Sequence, residues 1–107
     1  MGRPYMNDRT GHKPNTPEHR LKSVKFALQD MGHASTCRYT SKGKPYLALP
    51  GGYRLIFFAS RKRFDTADPY GNMTGDTYQG NCWTVAKALI KQMGLTPTLP
   101  VAEYLES

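Results

Sequence analysis

The chain has 107 residues, 38% of them hydrophobic and 11% aromatic, and a net charge of +7 from fifteen Lys and Arg against eight Asp and Glu. That length suits a single domain with a small core, which disfavours a large enzyme cleft, while the aromatic share is too high for a wholly disordered chain. The basic balance excludes an acidic-tail protein or a DNA mimic, and no stretch approaches the ~18 apolar residues that read as a membrane span.

Residues 1–15 contain Gly2, Pro4, Gly11 and Pro14 and no periodic apolar pattern. They are expected to form a flexible basic arm, with residues 16–107 as one small α+β domain. The arm lacks the apolar core of a secretory signal, so the expected location is the cytoplasm. Thr16-Pro17-Glu18 has the form of a helix start: an N-cap hydroxyl, a proline at the first helical position and an acid in the first turn. Leu21, Val24, Leu28 and Met31 follow as one apolar stripe at the helical period. Gly32 stands where a C′ glycine belongs. Val24, Phe26 and Leu28 also alternate as a strand would, but the caps at both ends favour a helix over 17–31.

Ser35 to Thr40 alternates in the manner of a strand, and Ser41 to Pro45 supplies turn chemistry. Tyr46 to Leu49 is a second run between two prolines, which suits a short or edge strand. Gly51-Gly52 predicts a tight two-residue hairpin turn. Tyr53 to Ser60 is the most apolar run, and Leu55, Ile56, Phe57 and Phe58 predict a central strand covered on both faces. Residues 61–80 read as a long loop, of a kind often functional, unless they conceal a short hairpin. Asn81 then caps a second helix with Cys82, Val85, Ala86, Leu89, Ile90 and Met93 on its apolar side, Thr84, Lys87 and Lys91 opposite, and Gly94 at its end. Leu95 to Leu99 is expected to be extended, with Pro100 opening a final turn through Tyr104 and Leu105. The predicted architecture is α+β: a helix, a three-stranded antiparallel sheet, a long loop and a helix, in the order α-β-β-β-α. Leu28, Leu55, Phe57, Ala86 and Leu89 should be buried together, because each helix has an apolar stripe to hide.

Several constellations bear on chemistry. Cys37 and Cys82 read as small buried apolar residues in a reducing compartment, with a single bridge between them left open. His12, His19 and His33 lack the close spacing of metal ligands and read as solvated or capping residues. Asp65, Asp68 and Asp76, with Asn72, lack a calcium-loop register and read as turn formers that also neutralise nearby cations. No nucleotide-binding or hydrolase motif is present, so neither a metal nor another cofactor is expected. His33, Asp30 and Arg38 could meet at the helix-to-strand junction as a general base, an acid and a cation, which leaves a small metal-independent ribonuclease as one alternative.

The order of elements resembles that of double-stranded RNA-binding domains and of small HicA-type toxins, in topology alone. The second helix opens with Asn81-Cys82-Trp83-Thr84 where the former have a lysine-rich start, and His33 precedes the strand where the latter carry a strand histidine. No residue role is carried over.

The charge distribution is the strongest signal. Residues 1–63 hold thirteen Lys and Arg against three acids, whereas residues 64–107 hold two against five. Such asymmetry points to a polyanionic partner. Arg38, Lys42, Lys44, Arg54, Arg61, Lys62 and Arg63 come from the predicted strands and their connections, interleaved with Tyr39, Tyr46 and Tyr53; Lys87 and Lys91 lie on the second helix. Cations neutralise phosphates and rings can stack on unpaired bases, although strands favour tyrosine in any case. The expected function is a small basic nucleic-acid-binding protein without catalysis, acting on DNA or RNA. The other alternative is a phage or mobile-element protein that sets the same cations against an acidic host protein surface to inhibit or regulate it.

Overall fold

A computed structural model describes residues 16–98. The expected basic arm and the final turn after Pro100 lie outside the described residues. Helix α1 spans Pro17–Asp30. The Thr16 hydroxyl accepts from the His19 amide at 3.2 Å, which satisfies one of the amides left open in a first turn. At the other end the amides of Gly32 and His33 donate to the carbonyls of Gln29 and Leu28 at 3.0 and 2.8 Å. This paired closure needs the left-handed φ of 92° that Gly32 supplies. Helix α2 spans Cys82–Met93, with the Asn81 side chain accepting from the Thr84 amide at 2.9 Å and Gly94 left-handed at its end.

Between the helices runs a five-stranded antiparallel meander: β1 (Thr36–Tyr39), β2 (Pro45–Ala48), β3 (Arg54–Phe58), β4 (Arg63–Ala67) and β5 (Met73–Tyr78). Spatial order follows chain order. The α+β class holds, but the sheet has five strands rather than three, and the order is α-β-β-β-β-β-α. The segment read as a long loop over 61–80 contains β4, β5 and their turn. Asp68 closes that turn, its Oδ1 accepting from the amides of Tyr70 and Asn72 at 2.9 Å each. The hairpin carries no apolar alternation. Strand β4 buries Asp65 and Thr66 along with Phe64 and Ala67, and edge strand β5 is exposed everywhere but Tyr78.

Three local expectations change in detail. The β2–β3 connection is a three-residue 3-10 turn over Pro50–Gly52, closed by the Leu49 amide on the Tyr53 carbonyl at 2.8 Å, with both glycines at positive φ. Strand β2 is interior to the sheet, and Pro45 is tolerated because it is the first strand residue. Strand β3 buries Leu55 and Phe57 but leaves Ile56 and Phe58 half-buried, so among the described residues its two faces are covered unequally.

Both helices contribute to a single core. Leu21, Val24, Ala27 and Leu28 of α1 meet Val85, Ala86 and Leu89 of α2 over Leu47, Leu55, Phe57 and Phe64 of the sheet. The expected core residues Leu28, Leu55, Phe57, Ala86 and Leu89 are all in this cluster. Cys37 and Cys82 form no disulfide and pack against it. Burial pushes the Cys37 thiol up, with Lys22 and Lys25 pulling weakly the other way, so it packs as a neutral group. His19 and His33 are buried rather than solvated. Beyond α2 the Thr98 amide donates to the Gly32 carbonyl at 2.7 Å, tying the extended segment after the helix to the end of α1. Among the described residues no helix is long and apolar enough to cross a membrane.

Candidate nucleic-acid interface

Side chains alternate between the two faces of a strand, and residues directly opposite in an antiparallel pair share a face. Both rules sort the sheet. The face carrying Cys37, Leu47, Leu55, Phe57 and Phe64 is taken by the helices. The other face therefore carries Arg38 of β1, Tyr46 of β2, Arg54, Ile56 and Phe58 of β3, and Arg63 and Asp65 of β4. Register places Arg38 opposite Tyr46, Arg54 opposite Ala48 and Ala67, and Phe58 opposite Arg63. Three of the expected binding cations thus alternate with two aromatic rings on one surface.

The contacts on that surface are specific. The Arg54 guanidinium lies 4.5 Å from the centre of the Tyr46 ring, and that of Arg61 lies 6.0 Å from the centre of Phe58. Arg63 Nε donates to Asp65 Oδ1 at 3.1 Å. Arg63 is therefore partly neutralised within the chain, while Arg38 and Arg54 are exposed. The expectation that aspartates offset the Arg61-Lys62-Arg63 run holds here for Arg63, through Asp65. These three cations do not enter a long loop together: Arg61 and Lys62 sit in the tight β3–β4 turn, and Arg63 begins β4.

Meander topology collects a second group. Strands alternate in direction, so the β1–β2 and β3–β4 turns fall at one end of the sheet and the β2–β3 and β4–β5 turns at the other. Contact between the latter two turns is close, since a Cβ added at Gly52 would lie 3.2 Å from Pro69 Cβ. The first end holds Lys42, Lys44, Arg61 and Lys62, all exposed. The starts of both helices lie at this end too, with Arg20 Nη2 on the Gly80 carbonyl at 2.9 Å. Helix N-termini carry partial positive charge, so the dipoles reinforce the cations. Lys62 occupies the left-handed region at φ 51°, a conformation that costs a non-glycine residue about 1 kcal/mol.

Not every expected binding residue joins this surface. Lys87 and Lys91 are exposed on the outer side of α2, across the sheet from Arg38 and Arg54. Tyr53 packs against the core on the helix side, and Tyr39, on that same side of edge strand β1, is 54% exposed. Phe58 was not singled out from the sequence. The signal for it was the strand period itself, which separates Phe58 and Ile56 from Phe57 and Leu55. Arg20 was also missed as a structural residue; its guanidinium lies 4.8 and 5.5 Å from the ring centres of Phe57 and Phe64.

Other chemistry finds less support. His33 is 4% exposed and burial lowers its pKa, so its ring is packed as a neutral group and not offered to a phosphate beside Arg38. No cluster of His, Cys, Asp and Glu able to hold a metal occurs among the described residues. Asp68 instead closes a turn. A cavity of about 280 Å³ lies on the helix side of β4 and β5, lined by Thr66, Thr74, Asp76 and Tyr78 among others. Among the described residues its one charged lining group is the Asp76 carboxylate, which repels phosphate. Comparison with protein-family models, with curated proteins and with solved structures finds no match to this chain.

Proposed function

We propose that the protein binds nucleic acid, without catalysis, through the sheet face opposite the two described helices and the basic end beside it. The observation that carries this reading is the placement of Arg38, Arg54 and Arg63 among Tyr46 and Phe58 on one face, with Lys42, Lys44, Arg61 and Lys62 at one end of the same sheet. A polyanion laid across that corner meets cations along its length, and each neutralised phosphate releases counterions. The strained Lys62 supports the same reading: a glycine would relieve the turn, yet a cation is held there. Lys87 and Lys91 act as part of the general basic surface. The protein works in a reducing cytoplasm, where Cys37 and Cys82 stay thiols.

The test is fluorescence anisotropy with labelled 20-nucleotide DNA and RNA across a salt series. Binding should weaken as salt rises, with a slope of roughly 0.7–0.9 per phosphate contact. Neutralising Arg38, Arg54 and Arg61 together to Gln should weaken binding to every sequence alike and flatten that slope. Neutralising Lys87 and Lys91 should do much less. Absence of salt-dependent binding, together with a nuclease-resistant protein partner lost in the triple variant, would replace this reading with that of an acidic protein surface.

A further inference from the structure

We propose that the polynucleotide taken by this face is single-stranded, with unpaired bases stacked on Tyr46 and Phe58; the inference rests on the nucleic-acid reading above and adds the state of the strand. A duplex hides the faces of its bases and is read by an element that enters a groove, such as a helix or a two-stranded ribbon. The candidate face is a sheet surface, and both helices of the described residues lie on its far side. What the sheet presents are rings at strand positions, with guanidinium groups against them.

The spacing of the rings points the same way. Strand β2 pairs with β3 through Leu47 opposite Leu55 and Ala48 opposite Arg54. Extending that register by one residue sets Tyr46 beside Ile56 and diagonal to both Arg54 and Phe58. Diagonal positions on adjacent strands lie about 7–8 Å apart. Stacked bases in a duplex strand are separated by ~3.4 Å, so two rings at this spacing suit bases that have been splayed apart. Ile56, half-buried, is on the same face as Phe58, two residues before it in β3. The Arg54 guanidinium over Tyr46 at 4.5 Å is itself a plane on which a base can stack. Phosphates following the two bases pass Arg38 on one side and the Arg61-Lys62 turn on the other. Rings tolerate any base, so sequence preference should be weak.

The experiment compares fluorescein-labelled dT12 and rU12 with a 12-base-pair duplex, by anisotropy at one fixed salt concentration. The variants are Tyr46→Leu and Phe58→Leu, which keep apolar bulk and remove the ring, and Tyr46→Phe, which keeps the ring. Thermal melts establish that each is folded; if Phe58→Leu does not fold, the Tyr46 pair carries the test. At least one single strand should bind more tightly than the duplex, the two strands reporting which sugar is preferred. Each leucine variant should lose about 5- to 150-fold for that strand with little change for the duplex, and Tyr46→Phe should bind as the parent does. Equal binding of strand and duplex, or leucine variants that bind the strand like the parent, overturns the single-strand proposal and leaves the nucleic-acid reading standing. Binding of neither overturns both.

Discussion

Arg20 connects three parts of the fold, and its removal tests how they are held. From the first turns of α1 its guanidinium reaches the rings of Phe57 in β3 and Phe64 in β4, and Nη2 donates to the Gly80 carbonyl just before α2. The perturbation is Arg20→Met, which keeps the aliphatic stem over the rings and removes only the charged head. Each cation–π contact contributes ~0.5–1 kcal/mol at a partly exposed site, and the hydrogen bond about 0.5–1.5 kcal/mol. Summed over the two rings and the one bond, these give roughly 1.5–3.5 kcal/mol. Desolvation opposes part of this. Burial is the main cause lowering the Arg20 pKa, only partly offset by Cys82, so water would solvate the charge better than this site does. The expected net loss is about 1–2 kcal/mol, or a melting temperature lower by about 5–15 °C for a domain of this size. Urea denaturation and thermal melts measure it. Arg20→Lys should fall between, because an ammonium keeps the charge but not the planar fork. A methionine variant within ~0.5 kcal/mol of the parent, the range of an ordinary surface change, would refute the view that Arg20 ties α1 to the sheet and to the start of α2.

Two further outcomes are expected. Gly52→Ala combines a positive φ of 85° with a Cβ placed 3.2 and 3.3 Å from Pro69 carbons, whereas Gly43→Ala has a similar φ of 83° and open space around it; urea midpoints should therefore fall for both and clearly further for Gly52→Ala, and equal losses would refute contact between those turns. Stability should decline as pH falls below about 6.5, the ordinary histidine value, because the folded pKa of His33 lies beneath it and the unfolded chain then takes up the proton first; thermal melts between pH 7.5 and 5 should show a smaller decline for His33→Gln, and an identical decline would assign the effect to other groups.

Both helices were legible in the sequence because their determinants are local. A cap, a proline or glycine at the correct end, and an apolar stripe all fall within one or two turns, as at Thr16-Pro17 and Gly32 and again at Asn81 and Gly94. The core residues followed, since a stripe must be hidden and the apolar run of β3 is the surface available to hide it. Strands β4 and β5 were not legible. Their residues are held by pairing with neighbours rather than by apolar alternation: Asp65 by Arg63, Thr66 by the hydroxyl of Thr74 across the hairpin. Strand β5 lies at an edge and buries only Tyr78. The buried states of His19 and His33 likewise depend on what packs against them, which spacing along the chain does not encode.

The cations tell the same story at the surface. Their number and their concentration before residue 64 are properties of the sequence alone, and with them the expectation of a polyanionic partner. Which of them act together is a property of tertiary structure. Register placed Arg38 beside Tyr46 and Phe58 beside Arg63, the reversal of strand direction carried Lys42, Lys44, Arg61 and Lys62 to one end, and the packing of α2 took Lys87 and Lys91 to the far side. Charge is additive along a chain, but a binding surface depends on which side of a sheet each charge faces. That side is set by pairing between distant residues, where a shift of one position exchanges the two faces.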